Sequence, residues 1–170
     1  MEVRQPPGRP ATYKTLVSEL TADGLELGMR FTDTRGYEYA LLALSNSLTG
    51  SATAAGEVLT YVDADTVTNT VGSGLNICAG IVEGAFDQSS ATGTGRTAVL
   101  LLTRGIHTAV KAGTSTVPLG SNVMVDTSNN GEIAPLADGT AVTGALLQQV
   151  IGIALAAKDV SNNVHTLVKL

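Results

Sequence analysis

The stretch Asn122-Val-Met-Val-Asp-Thr-Ser-Asn-Asn-Gly-Glu-Ile-Ala134 decides how this chain is read. Val123–Asp126 and Glu132–Ala134 are short runs rich in residues that suit a pleated surface. Between them lies Asn129-Asn130-Gly131, and Asn and Gly are the residues that tolerate the positive φ of a tight hairpin turn. Outward from this hairpin, runs of Thr, Val, Ile and Ala recur with Gly, Asn, Asp or Ser as separators. They predict strands over Glu57–Val62, Asn76–Val82, Thr97–Thr103, His107–Lys111, Asn122–Asp126, Val150–Ala157 and Val164–Leu170. Asn162-Asn163 marks a further turn before the last run, and Thr143–Gln149 is the one stretch that fits a short helix. Parallel strands need long crossovers, and these connections are too short for them. The expectation is an all-β, mainly antiparallel domain, built as a barrel or sandwich.

Upstream the pattern is less regular. Tyr37–Leu44 is apolar throughout and fits a buried strand or a helix equally well, because a short apolar run carries no period. Leu16–Leu20 fits a helical turn or a short strand. Asp23-Gly24 and Arg35-Gly36 mark turns, and Ser45–Gly56 reads as a loop. Gly56-Glu-Val-Leu-Thr-Tyr-Val-Asp63 echoes Gly120-Ser-Asn-Val-Met-Val-Asp126, and each is followed by a Gly-containing run, Ile77–Val82 and Val150–Ala154. Either a duplicated β unit or chance similarity in a Gly/Val-rich chain accounts for the echo.

The first residues differ from everything after them. Pro6-Pro7-Gly8-Arg9-Pro10 blocks helix and favours an extended chain. Residues 1–22 are therefore expected as an extended arm and residues 23–170 as a β-rich body. Arg4, Arg9 and Lys14 face only Glu2 in the first 14 residues, whereas the chain of 170 residues carries a net charge of −5. An acidic body is a poor general binder of polyphosphate, so direct nucleic-acid binding is not expected. The start has no apolar run of the secretory kind. The uncharged window between Asp138 and Lys158 is broken by Thr140, Thr143, Gln148, Gln149 and glycines, so a membrane span, which needs about 20 apolar residues, is not expected.

Residues that carry chemistry are sparse. The single Cys78 lies between Ile77 and Ala79, with no nearby cation to activate it, and reads as a small buried hydrophobe. His107 and His165 stand in strand patterns without metal-ligand spacing. Asp63-Ala-Asp65 and Asp126–Gly131 read as turns; the latter lacks the glutamate that a calcium loop needs at its twelfth position, where Ala137 stands. Gly93-Thr-Gly-Arg-Thr-Ala98 matches a loose dinucleotide pattern, but an apolar strand-like run follows where a helix is required. No catalytic residue, metal site or cofactor is expected, and the chain is not expected to be an enzyme.

The order of several pieces resembles the small capsid cement, or decoration, proteins of tailed bacteriophages. These are Gly105–Gly113, then Val117–Asp126, then Val150-Ile-Gly-Ile-Ala-Leu155, and the terminal Val164-His-Thr-Leu-Val-Lys-Leu170, with Gly56-Glu-Val-Leu and Ala79-Gly-Ile-Val82 upstream. The resemblance covers roughly residues 50–170; the preceding residues have no counterpart in it. It implies that the body behind the extended N-terminal arm is a small β-barrel or β-tulip, commonly a homotrimer, on the outer surface of a virion capsid. There it would bridge neighbouring major capsid protein subunits. Under this reading the arm supplies the capsid contacts: Val3, Pro6, Pro7, Pro10 and Tyr13 as apolar anchors, and Arg4, Arg9 and Lys14 toward acidic patches. The alternatives are another β-rich phage structural subunit, such as a tail-tube or fibre-associated protein, and an enzyme whose site is shared between chains.

Overall fold

The computed structural model describes residues 14–17, 20, 24–45, 48, 52–72, 76–83, 86–87, 97–137, 140 and 143–170. The strands are β1 (Lys14–Leu16), β2 (Arg30–Thr32), β3 (Glu38–Leu44), β4 (Ala52–Thr53), β5 (Val58–Tyr61), β6 (Thr66–Thr68) and β7 (Cys78–Val82). They continue with β8 (Phe86–Asp87), β9 (Thr97–Lys111), β10 (Asn122–Val125), β11 (Ile133–Pro135), β12 (Val150–Ala154) and β13 (Asn163–Lys169). The short helix α1 (Gly144–Leu147) precedes β12, with the Thr143 hydroxyl capping it by accepting from Leu146 N. Eleven strands share one sheet, in the order β11-β10-β12-β13-β9-β7-β5-β6-β3-β2, with β1 added on β9. Because β9 also pairs with β3, the strands β3, β6, β5, β7 and the first half of β9 close into a small five-stranded barrel. The β3–β6 ladder is parallel and the other ladders are antiparallel, so the sheet is mixed.

Side chains along the barrel strands alternate between two packed clusters. Ala40, Leu42, Leu44, Leu59, Val67, Ala79, Val82, Val99 and Leu101 form one, which apart from Leu48 lies wholly on barrel strands, with Tyr61 of β5 packed against it, and fills the interior. Tyr39, Leu41, Ala98, Leu100 and Leu102 point the other way and join Leu20, Leu25 and Phe31. Both faces of β3 are therefore buried, so no polar residue marks one face as outer. This is why Tyr37–Leu44 could not be assigned from its pattern, and it is a strand. Gly80 of β7 lies against β9: a Cβ there would come within 2.7 Å of Leu101 Cβ and 2.9 Å of Leu102 O, so the two strands approach this closely only with glycine at this point.

The second half of the chain repeats the strand order and register of the first. Leu59 pairs with Gly80 as Val123 pairs with Gly152, and each ladder slips at the next residue. Gly56 N donates to Val82 O at 2.7 Å, and Gly120 N donates to Ala154 O at 2.8 Å. Tyr61 opposes Val67 as Val125 opposes Ile133, and Ile81 opposes Leu102 as Ile153 opposes Leu167. The second half of β9 takes the place of β3, with Val110 opposite Val164 as Leu42 is opposite Val99. Even the closure is echoed: Ser45 N donates to Val67 O at 2.8 Å, and Gly113 N donates to Ile133 O at 3.4 Å beside the isolated parallel bridge Ala112–Ile133. The inward positions of this second ring, among them Val110, Val123, Ile133, Ile151, Val164 and Val168, are all buried. The echo between Gly56–Asp63 and Gly120–Asp126 is thus a repeat of strand order, and β9 is shared by both units.

Three expectations change. Thr97–Thr103 and His107–Lys111 form one strand of 15 residues, because Gly105 continues it in a conformation (φ +142) that leaves its face free for the Tyr37 ring. Val150–Ala157 ends at Ala154. In the expected arm, Lys14–Leu16 pair with Val99–Thr97 and Leu20 is buried in the core, so these residues belong with the body. The three-residue strands β2 and β6 had no separate sequence signal, being too short to carry a period.

Candidate interaction surface

Val3, Arg4, Pro6, Pro7, Arg9, Pro10 and Tyr13 lie outside the described residues. Lys14 opens β1, where its backbone lies opposite Val99 on the barrel strand β9. The segment carrying those residues is thus attached to the barrel wall through a register-defined antiparallel ladder.

The titratable groups hold the architecture together. Arg35 Nη2 lies 2.7 Å from Asp33 Oδ2 and donates to Tyr39 Oη at 3.0 Å, while the guanidinium sits 4.3 Å above the Tyr37 ring. The Tyr37 ring in turn packs on Gly105. Burial on its own would raise the Asp33 carboxyl, but hydrogen bonds from Tyr37 N and from Arg35 outweigh it and hold it below the usual range. Burial pushes the Tyr39 hydroxyl up to about 12, with Glu83 and Asp33 adding to the effect. Burial also raises Glu83, against the pull of Arg35. Between the two units, Lys111 Nζ lies 3.0 Å from Glu57 Oε1, and Asn69 Nδ2 donates to Glu57 Oε2 at 3.1 Å.

The remaining sequence candidates are structural. Burial lowers the His107 imidazole below its ordinary value, and its Nδ1 accepts from Ala109 N at 3.2 Å. Cys78 is buried, and desolvation pushes its thiol up to about 12, which favours the protonated form at neutral pH. Asp63 accepts from Asp65 N and Thr66 N, and Asp126 from Ser128 N and Asn129 Nδ2, so both carboxylates shape turns. Of the loose dinucleotide pattern, residues 93–96 lie outside the described residues, and Thr97-Ala98 begin a strand. Among the described residues, no group of three or more His, Cys, Asp or Glu side chains is placed to hold a metal ion, and no helix is long and apolar enough to cross a membrane. A surface depression of about 410 Å³ is lined by Thr116, Pro118, Leu119, Gly120, Ser121, Pro135, Leu136 and Ala137, none of them titratable.

The two units differ on their outer walls. In the barrel the outward row Tyr39, Leu102 and Ile81 is fully buried. The segment bearing Leu20, Leu25 and Phe31, with Val17 and Leu27, belongs to the same packed cluster as this row. In the second unit the matching row is Ile106, Leu167 and Ile153, directly opposite one another across β9, β13 and β12. Ile106 is 36% exposed, and Leu167 and Ile153 are half-buried. Beside this row, two residues along β9 and β13, Arg104 lies opposite Lys169. Arg104 Nη1 also approaches Glu38 Oε1 at 3.2 Å, and its side chain is 66% exposed. Sequence reasoning placed Ile153, Leu167 and Lys169 in strands, left Arg104 and Ile106 in the break expected between Thr103 and His107, and singled out none of them. The signal was there in β13, where Asn163, His165, Leu167 and Lys169 alternate with the buried Val164, Thr166 and Val168.

No family model, no curated protein and no solved structure matches the chain.

Proposed function

We propose that this chain is a structural virion protein that decorates and cements the outer surface of a tailed-phage capsid by bridging neighbouring major capsid protein subunits. In this reading it acts as a homotrimer, without catalysis and without direct contact to nucleic acid or membrane. The observation that carries the reading is the root of the arm. Lys14–Leu16 are paired with Val99–Thr97, so the Pro/Arg segment before them is tethered to a closed, densely packed barrel. A tethered arm makes its contact at high effective concentration once the body has touched the shell, which converts two weak contacts into one strong one. Three arms around a local threefold axis would repeat that gain. An extended arm can also add a strand to a sheet edge on the shell, at an ordering cost of about 1–2 kcal/mol per residue.

The test uses purified heads that lack the protein. Full-length chain is expected to bind them saturably and to raise their resistance to heat and osmotic shock. A chain lacking residues 1–13, which keeps β1, is expected to lose about tenfold or more in affinity. Equal occupancy by the shortened chain removes the arm's role. Failure of the full-length chain to bind heads, or binding along tails, overturns the decoration reading.

A further inference from the structure

We infer that the outer wall of the second unit is a docking surface for an apolar, carboxylate-flanked segment of the capsid subunit. This rests on the decoration reading and supplies a second attachment point, separate from the arm.

The repeat makes the argument. Two units of the same strand order and register present equivalent walls, and the sequence has placed large apolar side chains at equivalent positions on both: Tyr39, Leu102 and Ile81 on one, Ile106, Leu167 and Ile153 on the other. The first row is fully buried in a cluster that includes the segment bearing Leu20, Leu25 and Phe31, and the second row is partly open to solvent. A cross-strand apolar row of this kind, left uncovered beside charged neighbours, has the character of an interaction site.

Charge selects the occupant. The chain is acidic overall, yet Arg104 and Lys169 stand directly opposite each other beside the row, next to Ile106 and Leu167. Like charges in that position repel, and a carboxylate from outside would relieve the repulsion. Glu38 reaches Arg104 from one side only, and the Arg104 side chain stays largely exposed. In a second copy the matching positions are again Arg104 and Lys169, so a twofold pairing centred on them would add to the repulsion rather than relieve it. The geometry therefore points to a different protein surface, apolar at its centre and acidic at its edge.

Binding to undecorated heads, measured across salt concentration, tests this with Ile106→Asp, the charge reversal Arg104→Glu/Lys169→Glu, and the conservative Arg104→Lys/Lys169→Arg. The expected results are a loss of about tenfold or more for each of the first two, a flattened salt dependence for the charge reversal, and binding within about twofold for the conservative pair. Melting curves and light scattering accompany each variant. If Ile106→Asp melts early, the charge reversal, made at exposed positions, decides. Wild-type binding together with unchanged binding by the Asp and Glu variants overturns this inference and leaves the decoration reading standing. A change in oligomeric mass for Ile106→Asp overturns it in favour of a self-interface. Failure of the wild-type chain to bind heads removes both.

Discussion

Strand β9 passes through two environments. Its first seven residues, Thr97–Thr103, are buried without interruption, whereas from Arg104 to Thr108 exposed and buried side chains alternate. The first half is a barrel stave with packing on both sides. The second half is the first strand of a repeat unit whose outer wall meets solvent. The same strand order thus yields a doubly buried wall in one unit and a singly buried wall in the other. The first wall belongs to a cluster that holds Leu20, Leu25 and Phe31 together with the second unit's inward residues such as Val123, Ile151 and Val164, and Ile106, Leu167 and Ile153 lie outside it.

The sharpest break of this comparison is a matched pair of truncations. Leu101→Ala empties part of the barrel interior and is expected to cost about 3 kcal/mol, because the closed ring cannot collapse around the gap. Leu167→Ala, on the half-open wall, is expected to cost about 1 kcal/mol or less. Urea unfolding measures both, and equal losses would erase the distinction between the two units.

Protonation sharpens the comparison from both sides. His107 is held below its ordinary value of 6.5 by burial, so the unfolded chain binds more protons than the folded one as pH falls past 6.5. Its contribution to stability is full above that pH and is lost as the solution is acidified toward the folded value. His107→Gln is expected to flatten the fall in melting temperature on the acid side of 6.5. Glu83 has the opposite sign: its folded value lies above 4.5, so its cost appears as pH rises through that range. Glu83→Gln is expected to melt higher than wild type at pH 7 and to converge with it near pH 4. A parallel pH response of each variant and the wild type would refute both assignments.

The smallest effect belongs to Ile106. Replacing this partly exposed side chain by Ala is expected to change stability by about 0.5 kcal/mol or less, in calorimetry of the isolated protein. A larger loss would mean that the second wall is covered after all.

Much of the architecture was legible because turns are local. Asn129-Asn130-Gly131 joins β10 to β11 as the expected antiparallel hairpin, and Thr143 caps the one expected helix. β13 was legible because one of its faces is wetter than the other. Glu38–Leu44 was ambiguous for the opposite reason, since both of its faces are buried and its pattern has no polar beat. The break expected between Thr103 and His107 failed at Gly105, where the glycine makes room for Tyr37 rather than for a turn. The surface around Ile106 was invisible because Arg104 and Ile106 fell in that expected break and so were assigned to no strand face.

From the residues alone follow the β class, the mainly antiparallel ladders, the hairpin after Asp126, the buried Cys78 and the contrast between a basic start and an acidic remainder. These depend on neighbours in the chain, on side-chain shape and on charge. The closure of five strands into a barrel, the parallel β3–β6 step, the sharing of β9 and the unequal covering of the two walls were decided only in three dimensions. Each of them rests on pairings between residues far apart in sequence, and a local pattern that suits burial on one face or both does not say which partner provides it.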